Sequence, residues 1–342
     1  MNKTGKKMKM LFIGPIFSTF TKIDIKILSE RFTLSLENSS LGKSIKGIIN
    51  LITVSLSSFF KLFQSNMLYC WFADYSTFLP AVLAKILRKK IYVVAGGFDV
   101  CYKPELNYGA KAKRFRWFCV KNTFKLADII LPVSSYAKMQ LHSLVKIKEE
   151  RVKVLYNAIE CKKFFNYLKE NQRERDLILT VSGTYSSIEY KIKGIDKFIE
   201  TAQFLPKYKF VIAGLRDSAL SDAIRQAGNL ENLTIIPGPL SIENELIELY
   251  CKSSLYLQLS IDETFGMAVV EAMACGCIPI VSQFGALPEI VPNSDFIASS
   301  QEELISLIEN YFNSNEDKRI LMQEHSKHFD IYQRKKQLLS YF

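Results

Sequence analysis

Short apolar runs alternate with segments of helical periodicity along almost the whole chain. Segments 78–87, 195–204 and 246–252 carry apolar residues at helical spacing. Because the strand-like runs are apolar throughout and separated by helices, they predict parallel sheets covered on both faces. The predicted strands are residues 8–13, 67–72, 91–95, 129–133, 152–156, 177–181, 210–213, 233–236, 255–259, 278–282 and 296–298.

One polar stretch divides this pattern. The segment YLKENQRERD (167–176) is the best candidate linker, so we predict two doubly wound, Rossmann-like α/β domains facing each other across a cleft. The first domain is 1–166 and the second is 167–312. Residues 313–342 form a C-terminal helical segment that is a candidate to pack back on the first domain. In such sheets ligands bind beyond the carboxyl ends of the strands.

The composition is globular, with 48% hydrophobic and 23% charged residues among 342. Seven cysteines without a C-x-x-C pair indicate reduced, buried thiols and a cytoplasmic protein. Three scattered histidines do not suggest a metal cluster. The basic, apolar N-terminus is interpreted as a first strand rather than a signal peptide, and no segment reaches the roughly 20 apolar residues of a membrane span.

Charge is divided unevenly between the halves. Residues 1–165 carry 28 lysines and arginines against 10 acids, whereas residues 166–342 carry 17 against 24. The basic half is suited to membrane lipid, an acidic glycan or nucleic acid, or it is simply a solvated lysine-rich face. Segments 41–63 and 111–125 mix cations with aromatic residues, which favours either an anionic membrane contact or a core. No nucleic-acid module is recognisable, so we expect no nucleic-acid partner.

The stretch SIDETFGMAVVEAMACGCIPIVSQFGALPEIV (260–291) carries the strongest chemical signal. A strand leads into an acidic loop, and a helix is predicted to start near Phe265 and Gly266. The free amides and dipole of a helix N-terminus bind phosphate. Glu263 lies in the loop, and Glu271 lies within the helix, where its carboxylate can accept hydrogen bonds from a diol such as ribose.

In this context the sequence resembles the family 4 retaining glycosyltransferases of GT-B fold. Their E-x7-E motif matches Glu263 to Glu271, and it is followed by GCIPIV and FGALPEIV. The segments VLYNAIECKKF, KGIDKFIETA, FVIAG and IIPGPLSIENELIELY also match, so the resemblance covers nearly all of residues 127–300. It implies two donor-binding elements in the second domain: Lys193 on the donor pyrophosphate and Glu271 on the ribose.

The resemblance also implies how the sugar and the base are held. Glu263, the neighbouring Thr264 and the amides near Phe265 and Gly266 are expected to face the donor sugar. Glu263 and Lys193 are the expected catalytic residues of the second domain. The expected contacts to the base come from the backbone of Pro237 and Gly238.

Three positions depart from the family pattern. Thr184 stands where the family carries an arginine after its first donor-domain strand, and Lys191 is the candidate to supply that second cation. In the family, a glycine loop of the first domain faces the donor, and this sequence keeps one glycine of that loop, Gly14. Asp99 follows Gly96-Gly97 where many members place a histidine, so it is either a group that orients a hydroxyl or moves a proton, or an Asx-turn or helix cap.

The implied function is a retaining, metal-independent glycosyltransferase without cofactor. It would move a sugar from a nucleotide diphosphate sugar to an acceptor hydroxyl on a glycan or lipid-linked acceptor, in cell-surface polysaccharide or glycolipid assembly. The expected location is the cytoplasm, at the inner face of the membrane if the basic half binds anionic lipid. Two alternatives stay open, a nucleotide-sugar 2-epimerase or hydrolase of the same fold and a non-catalytic GT-B subunit.

Overall fold

The structure is a computed structural model that describes residues 7–39, 45–165, 174, 176–314 and 317–342, without the side chains of 45–52, 55, 242 and 243. The chain forms two compact units. The first is Met1–Ala158 with Tyr332–Phe342, and the second is Ile159–Ile331. The predicted linker 167–176 lies almost wholly outside the described residues.

The first unit is a five-stranded parallel sheet in the order β2-β1-β3-β4-β7, with a small antiparallel hairpin of β5 and β6 after β4. Hydrophobic residues of the three inner strands are buried, as parallel strands covered by helices require. Its elements are β1 (Lys9–Gly14), α1 (Thr19–Arg31), β2 (Thr33–Asn38), α2 (Ile45–Gln64), β3 (Met67–Trp71), α3 (Tyr75–Ile86), β4 (Lys90–Ala95), β5 (Tyr102–Lys103), β6 (Tyr108–Gly109), α4 (Arg114–Leu126), β7 (Ile129–Pro132) and α5 (Ser135–Leu144).

The second unit is a six-stranded parallel sheet in the order β10-β9-β8-β11-β12-β13. Strands β8 and β11 lie at its centre, so the loops that follow them meet at one edge. Its elements are α6 (Cys161–Phe165), β8 (Leu177–Val181), α7 (Ser187–Ile192), α8 (Ile195–Phe204), β9 (Lys209–Leu215), α9 (Asp217–Ala227), β10 (Leu233–Pro237), α10 (Ile247–Lys252), β11 (Leu255–Gln258), α11 (Met267–Ala274), β12 (Ile278–Ser282), α12 (Leu287–Ile290), β13 (Ile297–Ala298), α13 (Gln301–Asn313) and α14 (Arg319–Ser326).

The compact units divide at 158/159 and 331/332, whereas the sequence places boundaries at 166/167 and 312/313. The polar linker marks a change in composition, but the chain joins the second unit before it. There the Ile159 carbonyl accepts a hydrogen bond from the N–H of Ile331, and the Ile159 N–H donates to the carbonyl of Phe329, both at 2.9 Å. The last helix, α15 (Ile331–Leu339), lies in the first unit from Tyr332 onward.

Two strands of the parallel sheets differ from the sequence prediction. Residues 152–156 were predicted as a strand and form only an isolated bridge to β7. The N–H groups of Lys153 and Leu155 donate to β7 carbonyls, but Pro132 of β7 has no N–H to donate in return, and the Arg334 and Gln337 side chains take carbonyls of the segment. The prediction of a full strand there is wrong. The edge strand β2 was missed, since its sequence TLSLEN is short and largely polar.

Several large apolar side chains of α2 and α4 are exposed rather than buried. Helix α2 packs on α3, and α3 packs on α4. Phe60 of α2 is 68% exposed and Phe115 of α4 is 69% exposed, and Leu56, Phe59, Phe63 and Phe118 are also exposed. Of the two readings of segments 41–63 and 111–125, the structure therefore favours a surface over a core for these side chains; residues 41–44 lie outside the described residues.

Candidate active site in the second unit

The end of β11 carries a chain of buried polar groups that the sequence reading missed. Tyr256 Oη donates to Gln258 Oε1 at 2.8 Å, and Gln258 Nε2 donates to Ser260 Oγ at 2.8 Å. All three side chains are buried. Polar residues at alternate positions of an otherwise apolar strand are the signal that could have found them, because alternate residues share one face.

Lys193 is placed by a close approach between two backbones. The next residue, Gly194, has φ +66°, and a Cβ there would lie 2.0 Å from the Leu259 carbonyl oxygen. The N–H of Ile261 also donates to the Ile192 carbonyl at 2.9 Å. Only glycine permits this contact, so the junction of α7 and α8 rests directly on the loop after β11.

This contact brings together two predicted site residues that are far apart in sequence. Lys193 Nζ lies 2.5 Å from Glu263 Oε2, and the two side chains are 30% and 14% exposed. Burial disfavours the charged ammonium group, but the carboxylates of Glu263, Glu189 and Asp262 raise the pKa of Lys193 above its usual value. Lys193 is therefore a permanently charged cation at the carboxyl edge of the sheet.

The backbone of Glu263 is fixed by a second close approach. Gly285, after β12, has φ +71°, and a Cβ there would lie 2.4 Å from the Glu263 carbonyl oxygen. The N–H of Ala286 donates to the same oxygen at 2.7 Å. Gly266 caps the start of α11 with φ +107°. These contacts explain why this turn carries glycine and hold Glu263 just before the free amides of α11.

The neighbours of Glu263 differ in exposure. Phe265 is buried edge-to-face against Phe329, with ring centroids 5.6 Å apart. Thr264 is half-buried. Phe265 thus anchors the loop, and contact with a ligand at this point falls to its backbone and to Thr264.

Glu271 lies in α11 with its carboxylate inside the unit. It is buried, and Oε2 accepts a hydrogen bond from Tyr250 Oη at 3.1 Å. Burial raises the pKa of the Glu271 carboxyl to about 7, although the bond from Tyr250 acts in the other direction. At neutral pH this carboxyl is thus poised between its acid and its carboxylate.

Glu271 should make stability depend on pH. Its folded-state pKa of about 7 exceeds its ordinary value of 4.5, so its contribution is fully present below pH 4.5 and is lost as the pH rises through 7. We expect the free energy of unfolding of Glu271→Gln, which can still accept from Tyr250, to rise relative to that of wild type by about 2–3 kcal/mol as the pH is raised from 4.5 to 7, and the difference to stay constant above that. Urea denaturation of both proteins across this range measures it, and parallel pH profiles would refute it.

The other predicted donor-binding residues lie at the same edge. Thr184 is buried in the loop after β8, and Lys191 is exposed on α7. Gly238 follows β10, and a Cβ there would lie 2.4 Å from the Gly214 carbonyl oxygen. Pro237 beside it is exposed. The loops after β8, β9 and β10 are therefore closely packed.

Gly14 and Asp99 belong to the first unit. A Cβ on Gly14 would lie 2.8 Å from Trp71 Cβ, so this glycine is explained by the packing of β1 on β3. Asp99 is 3% exposed and accepts from the backbone N–H groups of Ala73 at 3.1 Å and Gly96 at 3.2 Å. Burial raises its pKa to about 7 against these bonds. Both bonds come from residues earlier in the chain, not from the N–H two residues on that defines an Asx-turn, and a catalytic role of Asp99 stays a prediction.

The described residues hold neither a membrane-spanning helix nor a cluster of metal ligands. In that part of the chain no helix combines the length and apolar character needed to cross a membrane. Within the same ranges, no group of three or more His, Cys, Asp or Glu side chains is arranged to hold a metal ion.

The sequence profile of the glycosyl transferases group 1 matches residues 166–333, about half of the chain. Through this region the chain belongs to the glycosyl transferases group 1 family. The GPI3 subunit of phosphatidylinositol N-acetylglucosaminyltransferase from Saccharomyces cerevisiae (strain YJM789) is 22% identical over 62% of this chain and 49% of its own length. The GDP-mannose:cellobiosyl-diphosphopolyprenol alpha-mannosyltransferase of Xanthomonas campestris is 26% identical over 58% and 51%.

Among solved structures, Anabaena Alr3699/HepE in complex with UDP and glucose is similar, with a TM-score of 0.73 and 15% identity. The match covers 98% of this chain and 99% of that one. The chain therefore has the GT-B fold, which confirms the predicted fold class. It spans about half the length of the curated relatives it matches.

Proposed function

We propose that the chain is a glycosyltransferase that moves a sugar from a nucleotide diphosphate sugar to an acceptor hydroxyl in glycolipid or cell-surface polysaccharide assembly. The observation that carries this proposal is the Lys193–Glu263 pair beside the N-terminus of α11. A charged lysine and free amides suit a diphosphate, and a carboxylate beside them suits sugar hydroxyls. The family and the relatives named above support the same chemistry.

In the proposed reaction, the bond between the sugar C1 and the diphosphate oxygen breaks and a bond from C1 to the acceptor oxygen forms. The acceptor proton passes to the leaving diphosphate, on the same face, so the anomeric configuration is retained. Lys193 and the amides of α11 stabilise the charge that grows on the leaving group. We propose that these groups take the place of a metal ion.

Glu271 is proposed to bind the ribose, because its carboxylate is the acceptor that a diol needs and its helix begins at the phosphate end of the site. Pro237 and Gly238 are proposed to lie beside the base. We place the protein on the cytoplasmic side, where its seven buried thiols are stable.

A thermal-shift screen of UDP-, GDP-, ADP- and TDP-sugars tests the donor, since a ligand that binds the folded state raises its melting temperature. Incubation of the stabilising donor with and without polyprenyl-linked and glycan acceptors then tests the reaction. Transfer that needs acceptor supports the proposal. Epimer or free sugar from donor alone would instead favour the epimerase or hydrolase alternative, and no shift with any donor would favour a non-catalytic subunit.

We also propose that the exposed surface of α2 and α4 binds anionic membrane. Phe60 and Phe63 project from α2 near Lys61, and the unit that carries them is strongly basic. Aromatic rings insert at the bilayer interface, while lysines and arginines attract anionic headgroups.

Phe60→Ser with Phe63→Ser should weaken binding to phosphatidylglycerol vesicles at least about tenfold, because each exposed ring loses its apolar burial. Phe204→Ser, on α8 and also exposed, is the matched control. Co-sedimentation measures both. Wild-type binding by the double variant, or equal binding to vesicles of neutral phosphatidylcholine, would rule out this surface.

A further inference from the structure

The guanidinium of Arg216 is a charged group at the candidate site to which the sequence assigns no role. Arg216 directly follows β9, and β9 pairs with β8 in the sheet. Its backbone N–H donates to the Thr184 carbonyl at 3.0 Å, and its Nη2 lies 3.4 Å from the Gly183 carbonyl oxygen. Arg216 therefore lies alongside residue 184, the position at which the resembled family carries its arginine.

The side chain of residue 184 does not fill that role itself. Thr184 is 6% exposed, and its Oγ1 accepts from Ser182 Oγ at 3.4 Å, so it faces inward. Among the residues that the structure describes, a Cβ on Gly183 would meet no atom within 4 Å, which leaves open space above the loop. The space beside residue 184 is thus available to a ligand and to the Arg216 side chain.

Arg216 also has unused hydrogen-bonding capacity. Its Nε is buried and, within the part of the chain that the structure describes, has no hydrogen-bond partner. Buried donors without an acceptor are rare in native proteins, and a guanidinium presents its donors in a planar fork that matches two phosphate oxygens. An anionic ligand oxygen would satisfy this donor.

The two loops around this group are held together. Ser218 Oγ donates to the Tyr185 carbonyl at 3.4 Å and accepts from the N–H of Ser187 at 3.1 Å. With the bonds of Arg216 to Thr184 and Gly183, the loop after β8 is fixed to the start of α9. The position of the guanidinium relative to this loop is therefore set by the fold.

We propose that Arg216 binds the diphosphate of the donor and supplies, from the neighbouring strand, the second cation that residue 184 lacks. This inference rests on the proposed function. Lys191, the candidate that the sequence offers for this role, is exposed on α7. Arg216 instead lies at the carboxyl end of β9, beside the central strand β8, at the edge of the sheet where doubly wound folds bind their ligands.

Calorimetric titration with UDP, GDP and inorganic pyrophosphate tests this assignment. Arg216→Gln keeps a donor near the Gly183 carbonyl but removes the charge. It should weaken the affinity for the tightest-binding of these three probes by about tenfold or more. Arg216→Lys should retain part of the affinity. Arg225→Ala, which removes an exposed arginine of α9, should bind as wild type does.

The outcomes separate this inference from the proposed function. Tight binding by wild type that falls in Lys193→Ala but not in Arg216→Gln overturns the role of Arg216 alone. Failure of wild type to bind any of the three probes overturns both. If Arg216→Gln has a lowered melting temperature, Arg216→Lys decides: a retained fold with an affinity below that of Arg225→Ala supports the role of Arg216, and an affinity equal to that of Arg225→Ala refutes it.

Discussion

Replacing Arg334 with methionine is expected to lower the free energy of unfolding of the first unit by about 3–5 kcal/mol, because it leaves Asp24 uncompensated inside the protein. The guanidinium Nε and Nη2 of Arg334 lie 2.6 and 2.8 Å from the two carboxylate oxygens of Asp24. The pair is completely enclosed, with side chains 1% and 0% exposed. Tyr69 Oη and Trp71 Nε1 each donate to the same carboxylate at 2.7 Å.

The pair matters because it fastens the C-terminal helix α15 to the sheet of the first unit. Arg334 Nη1 also donates to the carbonyls of Leu155 at 3.0 Å and Tyr156 at 2.6 Å. Loss of the guanidinium therefore removes the counter-charge of the buried Asp24 carboxylate and a donor to two backbone carbonyls.

Urea denaturation of Arg334→Met against Lys335→Met measures this effect. Lys335 pairs with Glu30 on the surface, with side chains 40% and 49% exposed, so its loss should change stability by at most about 1 kcal/mol. Adding Asp24→Leu to Arg334→Met should restore part of the stability, since a buried ion pair can be replaced by apolar groups. Equal stability of the two single variants would contradict this account.

Lys193→Ala is expected to reduce sugar transfer at least tenfold, which corresponds to about 1.4 kcal/mol of transition-state free energy or more. The reason is that Lys193 offsets the charge growing on the leaving diphosphate. Glu263→Gln should reduce transfer by a similar factor, because it removes the negative charge that orients both Lys193 and the sugar hydroxyls.

The matched control for Lys193 is Lys207→Ala. Lys207 pairs with Glu309 and precedes β9, at the opposite, amino end of the sheet. Steady-state transfer rates with the donor selected by thermal shift should match wild type in this variant. Wild-type kcat/KM in Lys193→Ala or Glu263→Gln would contradict the assignment of the active site to the second unit.

The strands of the second unit could be predicted because each is an apolar run flanked by helical segments. Residues 177–181 and 278–282 agree with β8 and β12 at both ends. Residues 152–156 look equally apolar, but side chains from α15 compete for their carbonyls, and that competition depends on residues far away in sequence. Periodicity records local burial and carries no information on such partners.

The candidate site shows the same limit. Glu263 and Glu271 could be found by motif, since their spacing and the glycine and proline around them are local. Their environments could not: Glu271 is buried against Tyr250, and Lys193 meets Glu263 because Gly194 packs on Leu259. Arg216 gives no motif signal at all, because its role depends on two neighbouring strands bringing their ends together.

The most direct test of the account is a crystal structure of the protein with the nucleoside diphosphate that thermal shift selects. The account predicts the diphosphate within hydrogen-bonding distance of Lys193 and of the backbone amides at the start of α11, with the ribose hydroxyls on Glu271. A nucleotide bound elsewhere, with Glu271 still sealed against Tyr250 and away from it, would contradict the assignment of this site and the function built on it.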